Sequence, residues 1–117
     1  MMKYMIGADI GTTSTKAVLY DLKGNVKAYA NVGYPLYQTV PDMAEEDPDE
    51  IFNAVLEVLR QVMRKGNVQA GELQGVSFSA AMHGLILMDA NDQPLTRAIT
   101  WADNRAAKAS QQLKENG

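Results

Sequence analysis

The sequence predicts an α/β fold, a mixed sheet with flanking helices, built as one domain or a piece of one over its 117 residues. Three observations predict it. Short β-forming runs joined by tight turns open the chain. One long segment with apolar residues at helical spacing follows, and β-forming runs return after it. A core is permitted because 46% of the residues are hydrophobic and 21% charged, an ordinary globular balance that argues against disorder.

Tyr4–Asp9 reads as a buried strand with a carboxylate at its far end, and Lys16–Tyr20 as a second strand rich in β-formers. Gly24-Asn25 supplies a turn, and Val26–Val32 alternates as a third strand, so the opening is an antiparallel meander. "GYPLYQTVPDMAEED" is a loop or irregular strand with prolines at 35 and 41. A helix then begins cleanly, with Asp47 as N-cap, Pro48 at the first helical position and Glu50 completing a capping box. Ile51, Val55, Val58, Leu59 and Val62 recur at helical spacing, widened by Phe52, Leu56 and Met63. Arg64 and Lys65 suit the negative C-terminal end, and Gly66 is expected to take the left-handed cap.

Leu73–Ser79 reads as a strand, "SAAMHG" interrupts it, and Leu85–Met88 resumes as a further strand. "DANDQP" is a turn, Leu95–Trp101 alternates again, and the chain becomes helical from Asp103, capped by Asp103 or Asn104. The order β-β-β-α-β-β-α is that of an RNase H-like mixed sheet, an antiparallel meander leading into a crossover. The fifth strand fits equally as a hairpin arm outside the main sheet.

Composition narrows the function. The net charge is −3, the 11 basic residues are scattered, and no basic face of the kind nucleic acid needs is present. Without cysteine there is neither a disulfide framework nor a thiolate metal site. "MMKYMIGADIG" is too short and too interrupted for a membrane span and no cleavage site follows it, so a cytoplasmic protein is expected.

Three stretches could carry chemistry. In "IGADIGTTSTKAVLYD" a turn between strands can cup an anion with successive amides, Gly11 permits close approach, Thr12, Thr13, Ser14 and Thr15 offer hydroxyls, and Lys16 offers a charge. A carboxylate beside phosphate is repulsive without a cation between them, so Asp9 fits a partner of hydrated Mg²⁺. The same residues fit a hairpin whose hydroxyls merely satisfy its own backbone. His83, the single histidine, lies among small residues that leave room for a ligand, or is a structural hydrogen-bonder. It has no second histidine or cysteine for zinc. In "TWADNRA", Trp101 is either core or an apolar wall for a polyhydroxylated ligand, and Arg105 suits a carboxylate, either a substrate's or that of Asp103.

Together these stretches resemble the start of the FGGY family of carbohydrate kinases, of the actin/hexokinase/Hsp70 superfamily. "GADIGTTSTKAVLYD", "AEEDPDEI", "SFSAAMHGLILMD" and "AITWADNRA" match that family's pattern in order along the whole chain. "SAAMHG" with "ITWADNRA" is most similar to gluconate kinases, then to xylulose kinases, whereas glycerol kinases usually carry Arg-Glu where Met82-His83 stand. The resemblance implies that residues 1–117 are the N-terminal portion of the first domain of a two-domain enzyme. It implies ATP and Mg²⁺ as cofactors, with Asp9 holding Mg²⁺ through water and Gly11, Thr12 and Thr13 facing the phosphates beside Lys16. Met82, His83, Trp101 and Asp103 would line the pocket for a sugar or sugar acid. The general base and the adenine site would belong to the second domain, so these residues alone are expected to be inactive; the oligomeric state is not readable from the sequence, and a homodimer of the full-length protein is left open. A non-catalytic sugar sensor keeps the same pocket. An RNase H-like nuclease would need converging carboxylates that Val76–Ser79 does not supply.

Overall fold

The alternation that marks the opening strands also decides which face of each is buried. The computed structural model describes residues 2–117, and they divide into two units, residues 2–34 with 49–81 and residues 35–48 with 82–117. In the first unit β1 (Tyr4–Ile10), β2 (Ser14–Asp21), β3 (Val26–Gly33) and β5 (Leu73–Ala80) form one sheet in the order β3-β2-β1-β5. β1 pairs antiparallel with β2 and parallel with β5, so the meander and the return strand make the sheet mixed. Ile6, Ala8, Ala17, Leu19, Ala28 and Ala30 are buried on one face and pack with Val58, Val62 and Val68. Four of those six sheet residues are alanine, which lets a helix approach closely. The opposite face carries Met5, Asp9, Lys16 and Tyr29, all exposed.

That helix is α1 (Pro48–Lys65), which starts at the expected proline. Its buried residues are Ala54, Val58 and Val62, while Phe52 is exposed. Lys65 Nζ donates to the Tyr29 carbonyl at 3.0 Å, tying the helix end to β3. The helix ends differently from expectation. Asn67, not Gly66, takes the left-handed conformation, with φ 52°. Val68 N donates to Met63 O at 2.9 Å and Asn67 N to Arg64 O at 3.1 Å, the paired bonds of a Schellman motif. Gly66 is required for room, because a Cβ there would stand 2.4 Å from Leu19 Cδ2. The Gly24-Asn25 turn forms as read: Gly24 has φ 85°, and the Asp21 carboxylate accepts the Lys23 and Asn25 amides, each at 2.9 Å.

In the second unit β4 (Glu45–Glu46) and β6 (Ala98–Ile99) pair antiparallel, Glu45 opposite Ile99. The expected strands at 85–88 and 95–101 shrink to β6 and to single bridges, Leu85 with Ile99 and Met88 with Pro94. Two causes are visible. Pro94 has no amide for a ladder, and Asp89 Oδ1 takes the Asn91 and Gln93 amides at 2.8 and 2.9 Å. Residues 85–88 are also exposed throughout, so no core rewards pairing. α2 (Ala107–Asn116) starts four residues later than expected, with Ala106 at its N-cap and no side-chain cap. Asp103 and Asn104 are engaged elsewhere: their amides donate to Thr100 O at 3.1 Å and Asp42 O at 2.8 Å.

Glu46 is 4% exposed and its Oε2 has no hydrogen-bond partner. Burial pushes its carboxyl up to about 7 from an ordinary 4.5. Because the folded value is raised, the unfolded chain ionises first. Stability is therefore full below about pH 4.5, falls as pH rises, and levels off above about 7. The loss amounts to about 3 kcal/mol. Glu46→Gln is expected to remove this slope, so urea denaturation at pH 8 should find the variant more stable and at pH 4.5 nearly equal. A wild-type stability that is flat from pH 4.5 to 8 would show that Glu46 ionises freely.

Candidate functional site

The C-terminal end of β1 gathers the first group of residues. Sheet register sets Asp9 between Lys16 on β2 and Ser79 on β5, and all three line one open groove of ≈ 420 Å³ on the exposed sheet face. Ser79 Oγ donates to Asp9 Oδ1 at 2.9 Å. Ser79 was not singled out from sequence, since nothing local reveals which strand a parallel partner will face. The turn beyond Asp9 is tight: Gly11 N donates to Ser14 O at 2.9 Å, and a Cβ on Gly11 would stand only 2.9 Å from that oxygen. Gly11 is thus needed for close approach of its own backbone, and its amide closes the turn. Thr12 and Thr13 occupy the tip, with Thr13 exposed.

Among the described residues no three or more His, Cys, Asp or Glu side chains group to hold a metal. One accessible carboxylate, Asp9, fits Mg²⁺ held largely through water and phosphate oxygens, and does not fit an all-protein cage.

The second unit carries the other group. Met82, His83 and Trp101 are exposed. His83 has φ 67°, and among the described non-glycine residues with positive φ the other three are Asp42, Asn67 and Asp92. The left-handed region is uncommon for non-glycine residues, although histidine, like aspartate and asparagine, enters it more readily than most. Leu85 and Ile99 exchange backbone hydrogen bonds at 2.9 and 2.8 Å.

Asp103 is held from several sides. Its Oδ2 accepts from Ala44 N and Arg105 Nε, each at 2.9 Å, and its Oδ1 from Arg105 N at 3.1 Å. Arg105 Nη2 also reaches Asp103 Oδ2 at 2.7 Å and Glu45 Oε2 at 2.5 Å. The Arg105 side chain first, then the Ala44 amide, hold the Asp103 carboxyl down at about 2. Arg105 therefore binds carboxylates of its own chain. Arg97 lies over the Tyr37 ring, 3.9 Å from its centroid.

A mixed sheet with an aspartate-tipped first strand and a glycine turn behind it is the architecture of the actin/hexokinase-like α/β domains. The profile of the FGGY family of carbohydrate kinases, N-terminal domain, matches residues 4–117. The chain belongs to that family. It is 48% identical to a gluconokinase of Bacillus licheniformis over 98% of this chain and 22% of that protein. The crystal structure of gluconate kinase from Lactobacillus acidophilus superposes with a TM-score of 0.93 and 45% identity, over 100% of this chain and 23% of that one. A ligand-bound xylulose kinase from the same organism gives 0.91 and 46%, over 98% and 23%. The chain thus spans between a fifth and a quarter of the length of these relatives.

Proposed function

We propose that these residues are the phosphate-loop and substrate-side portion of a cytoplasmic, ATP-dependent kinase that phosphorylates a hydroxyl of gluconate, forming 6-phosphogluconate and ADP. The observation that carries the kinase reading is Asp9 at the tip of β1, set between Lys16 and Ser79 and followed by the closed Gly11 turn. Phosphoryl transfer depends mainly on positioning and charge stabilisation. Thr12 and Thr13 would donate to phosphate oxygens, and Lys16 would supply a positive charge on the same face as Asp9. Mg²⁺ held there by Asp9 through water would offset the negative charge of the phosphates. Met82, His83 and Trp101 would meet the sugar acid: Trp101 by ring contact, His83 by hydrogen bonding. Asp103 would line the same pocket through Oδ1, which carries one backbone hydrogen bond. The base that takes the hydroxyl proton is assigned to the part of the family's length beyond residue 117.

A xylulose kinase is the second reading, favoured by one observation. Arg105 is occupied by Asp103 and Glu45, so it is not free to clamp the carboxylate that distinguishes gluconate from a neutral sugar. A substrate panel on the full-length enzyme decides between them. With gluconate, xylulose, ribulose and glycerol, kcat/KM is expected to be highest for gluconate, by about 10²-fold or more. A higher value for xylulose would replace the gluconate assignment, and no turnover with any of them would favour a sugar sensor.

A further inference from the structure

The hairpin between β1 and β2 is tied from a residue the proposed mechanism does not use. Tyr34 directly follows Gly33, the last residue of β3, which pairs with Ser14. Its amide donates to Thr13 O at 3.1 Å. Its hydroxyl donates to the Gly11 carbonyl and lies 3.2 Å from Thr15 Oγ1. A phenol has one proton, and a carbonyl can only accept. With that proton on Gly11 O, the Thr15 hydroxyl must be the donor to Tyr34. Thr15 is fully buried, so its hydroxyl depends on a protein partner. The chain Thr15–Tyr34–Gly11 thus spans the base of the turn, while the Tyr34 amide fixes Thr13 at its tip.

We infer that Tyr34 is a positioning residue for phosphoryl transfer, its hydroxyl holding the Gly11–Thr15 hairpin in the shape that offers Thr12 and Thr13 to phosphate. This rests on reading the hairpin as a phosphate cradle. Tyr34 touches neither substrate nor nucleotide in this role. Its effect should therefore fall on the nucleotide and spare the sugar.

The test is steady-state kinetics of full-length Tyr34→Phe, with ATP and the sugar acid varied separately and with the thermal midpoint measured alongside. The expected result is a KM for ATP raised about three- to tenfold, the effect of one lost hydrogen bond, with the KM for the sugar acid within about twofold. Thr15→Val should act in the same direction, and the double variant should be no worse than Tyr34→Phe alone, because both break one chain. A lowered thermal midpoint with both KM values unmoved would make Tyr34 structural and overturn the inference. So would an unchanged KM for ATP in Tyr34→Phe when Asp9→Ala has lost turnover. If Asp9→Ala itself keeps normal turnover, the phosphate reading of the hairpin falls, and the role of Tyr34 falls with it.

Discussion

Replacing Asp9 with alanine in the full-length protein is expected to lower kcat by about 10²–10³-fold, the scale seen when one charge-stabilising group is removed from a preorganised site. The fold should survive the change. Asp9 is exposed, lies on the sheet face away from the α1-packed core, and its carboxylate receives one side-chain hydrogen bond, from Ser79. Thermal unfolding should therefore move little, which separates a chemical defect from a folding one. Asp9→Asn sharpens the test, since it keeps the shape and the acceptor for Ser79 but removes the charge. Both variants should need more Mg²⁺ for half-maximal rate, while the KM for the sugar acid stays near wild type. Normal turnover in Asp9→Ala would end the assignment of this strand tip to phosphate chemistry.

Asp9 was legible because its signal is local: an apolar run, a carboxylate at its end, then glycine and hydroxyl residues. The same holds for the meander and for α1, whose alternation and helical spacing follow from which face meets the core. What was not legible depends on partners distant in sequence. Ser79 meets Asp9 across 70 residues, and Ala44 N meets Asp103 across 59. Asp103 reads locally as a helix cap, yet that long-range amide and Arg105 claim it, and α2 starts later as a result. The strands expected at 85–88 and 95–101 fail for a related reason. The second alternates and the first is a continuous apolar run, but residues 85–88 are exposed, and apolar residues without a buried face to fill do not hold a strand. Gly66 shows the opposite case. The residue type was right for a helix end, but the cause is a neighbour's methyl group and not the sign of φ.

That neighbour sets the second large effect. Leu19→Ala is expected to cost about 2–5 kcal/mol of stability, read as a shift in the urea midpoint at constant m. Leu19 is fully buried among Val58, Val62 and the small sheet residues, so its loss leaves a cavity that two helix residues and a rigid strand cannot easily close. Gly66→Ala alone should also destabilise, by about 1–3 kcal/mol, because the new methyl would sit 2.4 Å from Leu19 Cδ2 and 3.2 Å from Val62 O. The two changes should not add. Removing the Leu19 side chain clears the closer of those contacts, and the Gly66 methyl then occupies part of the void. The double variant is therefore expected to be more stable than Leu19→Ala alone, which requires a favourable coupling larger than the cost of Gly66→Ala by itself, about 1–3 kcal/mol. Additive costs would mean that the helix end moves away from β2 and relieves the Gly66 contact without help from Leu19, whereas a favourable coupling assigns Gly66 to the packing of α1 on the sheet.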